Sequence, residues 1–291
     1  MERRGDLYSR KIKNAIGKTL KKAVFFILII FTILSCSGLS DKRKVIKIKG
    51  SDTMLQLTRQ LAAEYMMRHN DVSVYVEGGG TGAGAKSLAE SSIDICAASR
   101  KLLPQEIKLL TEKQYALGIS VLIAKDALSV YLNTNNPAED ISLEELRAIF
   151  SCKINSWDKI SDYNADIVKV IRPRNSGTYA YFKRLVLETE EYCEDNSITL
   201  HTTNAVVKHV AQHKNAVGYG GIAFHDSVKH AKIDGVLPSK QNVQNDSYPI
   251  IRYLYFYTVN TPTGTVKEFI DFVLSEEGQA IVSKSGFLPL W

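Results

Sequence analysis

Cysteine is scarce in this chain, with four in 291 residues, and proline is represented seven times and tryptophan twice. These shortages exclude a disulfide-dense small scaffold and a collagen-like or proline-rich disordered chain. Long hydrophobic runs are also missing. The longest, Ala23 to Leu34, covers about 18 Å at ~1.5 Å per residue, against the ~30 Å of a bilayer core, so it is too short to span. No internal repeat or low-complexity tract interrupts the pattern. What remains is ordinary globular composition, 45% hydrophobic and 23% charged, long enough for about two domains at roughly 150 residues each.

The excess of positive charge is local. Of the net +6, all falls in the first 22 residues, which carry Arg3, Arg4, Arg10, Lys11, Lys13, Lys18, Lys21 and Lys22 against Glu2 and Asp6. From Ser37 onward acids and bases balance, which removes the electrostatic basis for a nucleic-acid partner. The basic start, the short apolar run and Ser35-Cys36-Ser37-Gly38 have the order of a secretory signal. Ile33-Leu34-Ser35-Cys36 resembles the lipobox of bacterial lipoproteins, which implies a signal peptide over 1–35, lipid attachment at Cys36 and a tether over 36–44. Cleavage there leaves Cys96, Cys152 and Cys193, an odd number, so at least one thiol is free. Cys96 lies in the apolar run Ile93–Ala98 and is expected to be buried. The sequence leaves open whether Cys152 pairs with Cys193.

Strand and helix patterns alternate through the body. Val45–Ile48, Val72–Val76 and Ile93–Ala97 read as strands, with helices from Thr53, after the glycine run, and over Pro104–Leu117. A second set follows: strands at Leu128–Asn133, Val168–Arg172 and Ala216–Tyr219, and helices at Ser142–Phe150, Ser176–Glu190 and Asn204–His213. Ile250–Val259 reads as an extended aromatic stretch, and two helices, Thr265–Ser275 and Glu277–Ser285, close the chain. This grammar predicts an α/β protein with a largely parallel sheet.

Three segments share one design, in which a strand ends, a Gly/Ser/Thr turn follows and a helix begins: Gly50-Ser51-Asp52-Thr53, Gly80-Thr81-Gly82-Ala83-Gly84 and Asn175-Ser176-Gly177-Thr178. A helix start leaves backbone N–H groups unpaired and partly positive, so it holds an anion without lysine, and hydroxyls add donors. Capping alone explains one such turn. Three in one chain, with Arg172 four residues before Ser176, point to an oxyanion site at the carboxyl edge of a sheet. Other chemistries lack their residues. Lys86 has no P-loop frame, and Ser176 has neither a Gly-x-Ser-x-Gly frame nor a placed histidine. His209 and His213 stand i,i+4 with no third ligand at a telling spacing, as on a solvated helix face, so no metal is expected.

The order of motifs resembles the substrate-binding protein of bacterial phosphate ABC transporters, short-chain branch. The resemblance rests on Gly50–Thr53, Glu77–Gly84, Ala98-Ser99-Arg100, Asn133–Pro137, Leu146–Ser151 with Ile154–Trp157, Ser176–Thr178, Val217–Tyr219, Phe269–Val273 and Glu277-Gly278-Gln279. It implies a two-lobe periplasmic-binding-protein fold of the second type with a two-strand hinge near Ala127–Tyr131 and Arg252–Tyr257. Lobe 1 would take 45–126 plus 252–291, and lobe 2 would take 127–251. Phosphate would lie between them, held by Ser51, Asp52, Thr53, Met54, Thr81, Ser99, Arg100, Arg172, Ser176, Gly177 and Thr178. The implied protein is no enzyme and needs no cofactor; it is a lipid-anchored monomer outside the cytoplasmic membrane that serves ABC permease subunits. Other tetrahedral oxyanions, sulfate or a phosphonate, are the alternative ligands, and a phosphoryl-handling enzyme the more distant one. Arg100 stands where long-chain members carry an aspartate, so the acceptor that would tell protonated phosphate from sulfate comes from elsewhere or is absent. Asp52 is nearest in sequence, and simple helix capping explains it as well.

Overall fold

Residues 44–224 and 227–291 are described by the structure, a computed structural model. The basic leader, its apolar run and Cys36 lie outside the described residues. Among those described, no helix is long and apolar enough to cross a membrane.

The described residues open with β1 (Lys44–Gly50), α1 (Leu55–Arg68), β2 (Val72–Glu77), α2 (Thr81–Ala89), β3 (Ile95–Ala98) and α3 (Pro104–Gln114), and then run into the long β4 (Ile119–Leu132). Next come β5 (Asp140–Ile141), α4 (Leu143–Phe150), β6 (Val168–Ile171), α5 (Gly177–Phe182), β7 (Ser197–Thr199), α6 (Thr203–Gln212) and β8 (Ala216–Gly221). Two short strands, β9 (Lys229–His230) and β10 (Lys232–Ile233), and α7 (Lys240–Gln244) lead to β11 (Ile251–Thr258), α8 (Gly264–Leu274) and α9 (Glu276–Lys284). The local signals act as their chemistry demands. Ser142 caps α4 by accepting from the Glu145 N–H at 3.1 Å, and Glu145 accepts from the Ser142 N–H at 2.8 Å, a reciprocal capping box.

One sheet of nine strands runs β2-β1-β3-β11-β4-β8-β6-β7, with β9 also on β4. It is parallel within each half, as in β1 with β2 and β3 and in β6 with β7 and β8. It turns antiparallel at its centre, where β11 meets β3 and β4. The central strand serves both halves, since β4 pairs with β11 over Ile119–Ala127 and with β8 over Leu128–Leu132. The expected strand at Leu128–Asn133 therefore starts nine residues early. Lys125 and Asp126 hide the continuity, because charged residues inside a strand read as its end.

Each half has its own apolar core. Ile46, Leu57, Ile95, Phe256 and Phe269 belong to one; Leu128, Phe150, Trp157, Phe182 and Tyr219 belong to the other. The second contains an aromatic stack, with the Phe182 and Tyr219 ring centroids 4.1 Å apart and Phe150 edge-on to both. A fully buried side chain of this size contributes roughly 1.5–3 kcal/mol, so these cores set the rigidity of each half. Cys152 and Cys193 form a disulfide across 41 residues, and Cys96 is free and buried.

Candidate anion site

The three turns converge. Thr53 precedes α1, Thr81 opens α2 and Thr178 lies in the first turn of α5, yet Thr53 Oγ1 and Thr178 Oγ1 stand 3.0 Å apart although 125 residues separate them. All of Ser51, Thr53, Thr81, Ser99, Ser176 and Thr178 are buried, at 3% exposure or less. Thr81 Oγ1 accepts from the Ser99 N–H at 3.3 Å, and the Ser99 hydroxyl is buried with no partner. Gly177 fits between them because it has no side chain. A Cβ there would lie 2.3 Å from Thr81 Oγ1 and 2.4 Å from Ser99 Oγ. Gly80 is constrained twice, by its φ of +90° and by the Asn175 carbonyl 2.7 Å from where its Cβ would stand. Further backbone contacts join the same segments. The Gly82 N–H donates to the Asn175 carbonyl at 3.0 Å, and Asn175 Nδ2 donates to the Gly79 carbonyl at 3.0 Å.

Arg172, at the end of β6, is 1% exposed. Its Nη1 donates to Thr203 Oγ1 at 3.0 Å, and its Nη2 to the His201 carbonyl at 2.7 Å and to Asp52 Oδ2 at 3.1 Å. A guanidinium has five N–H donors, so two remain, and the buried Nε has no partner. Burial pulls its pKa down and Asp52 partly restores it. The other Asp52 oxygen accepts from the Gly79 N–H at 2.9 Å. Asp52 thus binds a neighbouring loop and an arginine; α1 is preceded by Met54 with no side-chain cap, so the capping explanation does not hold.

Two expected residues sit differently. The Arg100 guanidinium makes a bidentate pair with Glu106, 2.7 Å on each arm, which turns it toward the start of α3. The Met54 N–H donates to the Ser51 carbonyl at 3.1 Å, and the side chain belongs to the core. Ser176 caps α5, its Oγ accepting from the Tyr179 N–H at 3.4 Å. The helix expected from there to Glu190 is α5 continued by a π-helical turn over Lys183–Leu187, ended by Glu188 at φ +53°.

The sequence reading missed a second arginine. Arg252 on β11 faces Asp126 on β4 in register, and both are fully buried. Arg252 Nε and Nη2 each lie 2.7 Å from Asp126 Oδ2, and Nη1 donates to Thr178 Oγ1 at 3.0 Å. Burial pushes the Asp126 carboxyl up, while Arg252 and the N–H groups of Ala127 and Ile222 pull it back. Because Thr178 accepts from Arg252, its own proton points elsewhere, and the Thr53–Thr178 pair keeps one hydroxyl proton for an outside acceptor. A charge in the middle of an apolar strand was the available signal. No carboxylate or imidazole cluster with metal spacing lies here; among the described residues the one such grouping is Cys152, Cys193 and Asp195, whose sulfurs form the disulfide.

A small, buried set of hydroxyls with two buried arginines and helix starts can hold a tetrahedral oxyanion. Comparison with known proteins bears on which fold carries it. Residues 37–277 match the family model described as a PBP superfamily domain. A phosphate ABC transporter substrate-binding protein with bound phosphate from Clostridium perfringens superposes with a TM-score of 0.79 and 31% identity, over 85% of this chain and all of that one. An ABC-type phosphate transport receptor from Vibrio cholerae gives 0.69 and 25%, over 84% of this chain and 99% of its own. In sequence, the phosphate-binding protein PstS of Bacillus subtilis is 32% identical over 265 residues, 88% of this chain and 84% of that protein, and the PstS of Pseudomonas aeruginosa is 29% identical over 83% and 81%. A two-half α/β fold with its turns meeting at the junction, matched over this length, places the chain in the PstS family of phosphate-binding proteins within the PBP superfamily.

Proposed function

We propose that the chain captures inorganic phosphate between two lobes outside the cytoplasmic membrane and passes it, unreacted, to ABC permease subunits. The carrying observation is the contact of Thr53 with Thr178, flanked by Thr81, Ser99 and Arg172, where segments from both ends of the sheet meet. Lobe 1 takes 45–126 and 252–291, and lobe 2 takes 127–251, with β4 and β11 as the crossings. Phosphate is held by the hydroxyls of Thr53, Thr81, Ser99 and Thr178, by the N–H groups at the start of α5, with Ser176 and Gly177, and by the Arg172 Nε. Closing the lobes gathers these donors around one desolvated anion, so ligand and closure are linked by differential affinity. The names of the relatives support phosphate as the anion and a transporter as the destination. Lipid attachment at Cys36 keeps a monomer at the membrane. That reading rests on the lipobox-like Ile33–Cys36, and a mature protein that begins anywhere other than Cys36 contradicts it. Calorimetric titration of residues 37–291 tests the ligand: one phosphate per chain, with sulfate binding far more weakly. Equal affinity for the two anions would move the assignment to oxyanions in general, and turnover of a phosphate ester would move it to an enzyme.

A further inference from the structure

Beside the hydroxyl cluster lies a second cavity of about 270 Å³, between the residues after β3, the π-helical turn and β11. Arg100, Lys101, Arg184 and Arg252 line it together with Tyr181, and no described carboxylate does. From Ser37 on, the sequence has no surplus of bases, so four cations around one small space are a local feature. Two of them are neutralised from behind, Arg100 by Glu106 and Arg252 by Asp126. Among the described residues, Lys101 and Arg184 have no carboxylate in ion-pair range. Arg184 is held over the Tyr181 ring, 5.1 Å from its centroid, and Tyr181 is itself fixed by its hydroxyl donating to the Ile251 carbonyl. The Arg100 Nε is buried without a partner.

Like charges repel across a shared space unless an anion enters it, and walls of low polarity concentrate that field. The cavity is smaller than the ~300–1,000 Å³ of sites for drug-sized ligands, which suits a small hydrated oxyanion. Arg252 connects it to the first site, since the guanidinium that lines this cavity also donates to Thr178.

We propose that this cavity is a second, weaker stop for phosphate, next to the hydroxyl cluster and separated from it by Arg252. This rests on the reading of the cluster as a phosphate site. With two unneutralised cations that stay in contact with solvent, the stop binds with a dissociation constant on the order of 1 mM. The test titrates inorganic phosphate into residues 37–291 past saturation of the first site, following the Nε–H signals of Arg100 and Arg184 by NMR. Two phases are expected, and in the Lys101→Ala/Arg184→Ala double variant the second weakens at least tenfold while the first constant stays within twofold. Both side chains are exposed and without a carboxylate partner, so the variant keeps its fold. Absence of a second phase up to ten times the expected constant overturns the inference, as does a second phase that ignores both substitutions. Absence of the first phase instead refutes the phosphate reading itself.

Discussion

Two carboxylate–guanidinium pairs flank the hydroxyl cluster, and they are built for different work. Asp126 and Arg252 face each other across adjacent strands, both 0% exposed, and one carboxylate oxygen accepts from Nε and stands 2.7 Å from Nη2. Asp52 and Arg172 come from opposite ends of the sheet, meet through a single 3.1 Å contact, and leave the aspartate 10% exposed. The strand pair survives any parting of the lobes, because its partners travel with β4 and β11. The other pair must break when the lobes part. On the proposed two-lobe reading, one pair is a permanent brace at the crossing and the other a latch beside the anion site, and substitutions should separate them.

The largest effect is expected from the brace. Asp126→Ala strands a fully buried arginine and should destabilise the protein by about 3–5 kcal/mol in urea unfolding. A loss below about 1 kcal/mol would mean that the pair is no brace. Removing the disulfide by Cys152→Ser/Cys193→Ser should cost about 2–4 kcal/mol, from the entropy regained by a 41-residue loop, without a change in phosphate affinity. If affinity follows stability in that variant, the comparison of brace and latch fails, since any destabilisation would then weaken binding.

At the latch the readout is affinity. Arg172→Ala removes a charge-assisted contact worth about 1.5–3 kcal/mol and should weaken phosphate binding ~10- to 150-fold by calorimetry. Arg172→Lys should restore only part, because Thr203, His201 and Asp52 would take up all three donors of an ammonium and the planar fork that leaves Nε for the anion is lost. The smallest effect concerns selectivity. Asp52→Asn removes a negative charge beside the ligand and should shift the phosphate-to-sulfate preference toward sulfate by about 0.5–1 kcal/mol, a two- to fivefold change. An unchanged ratio would leave Asp52 as the partner of Arg172 and of the Gly79 N–H, with no part in selectivity.

What could be read from the chain was local. The turns at Gly50–Thr53, Gly80–Gly84 and Asn175–Thr178 were legible because strand end, glycine and helix start are neighbours in sequence, and so was the Ser142–Glu145 capping box. The pairing of Arg100 with Glu106 went unread because it closes six residues on, across a turn that only the three-dimensional path brings together. Arg252 and Asp126 were passed over since a charge inside a strand reads as solvent-facing until a partner 126 residues away is known. The same blindness started β4 too late in the chain and left the Cys152–Cys193 bridge undecided. Long-range pairing decides those features, and residue spacing carries no trace of it.

The central claim is that one anion is held by both lobes at once. Its most direct test is a phosphate titration of residues 37–291 followed through the backbone amide NMR signals of Thr53, Thr81, Gly177 and Thr178. The account predicts that all four move with one midpoint and saturate at one phosphate per chain. Signals from α1 and α2 that move at a different concentration from those of α5, or that do not move at all, would contradict it.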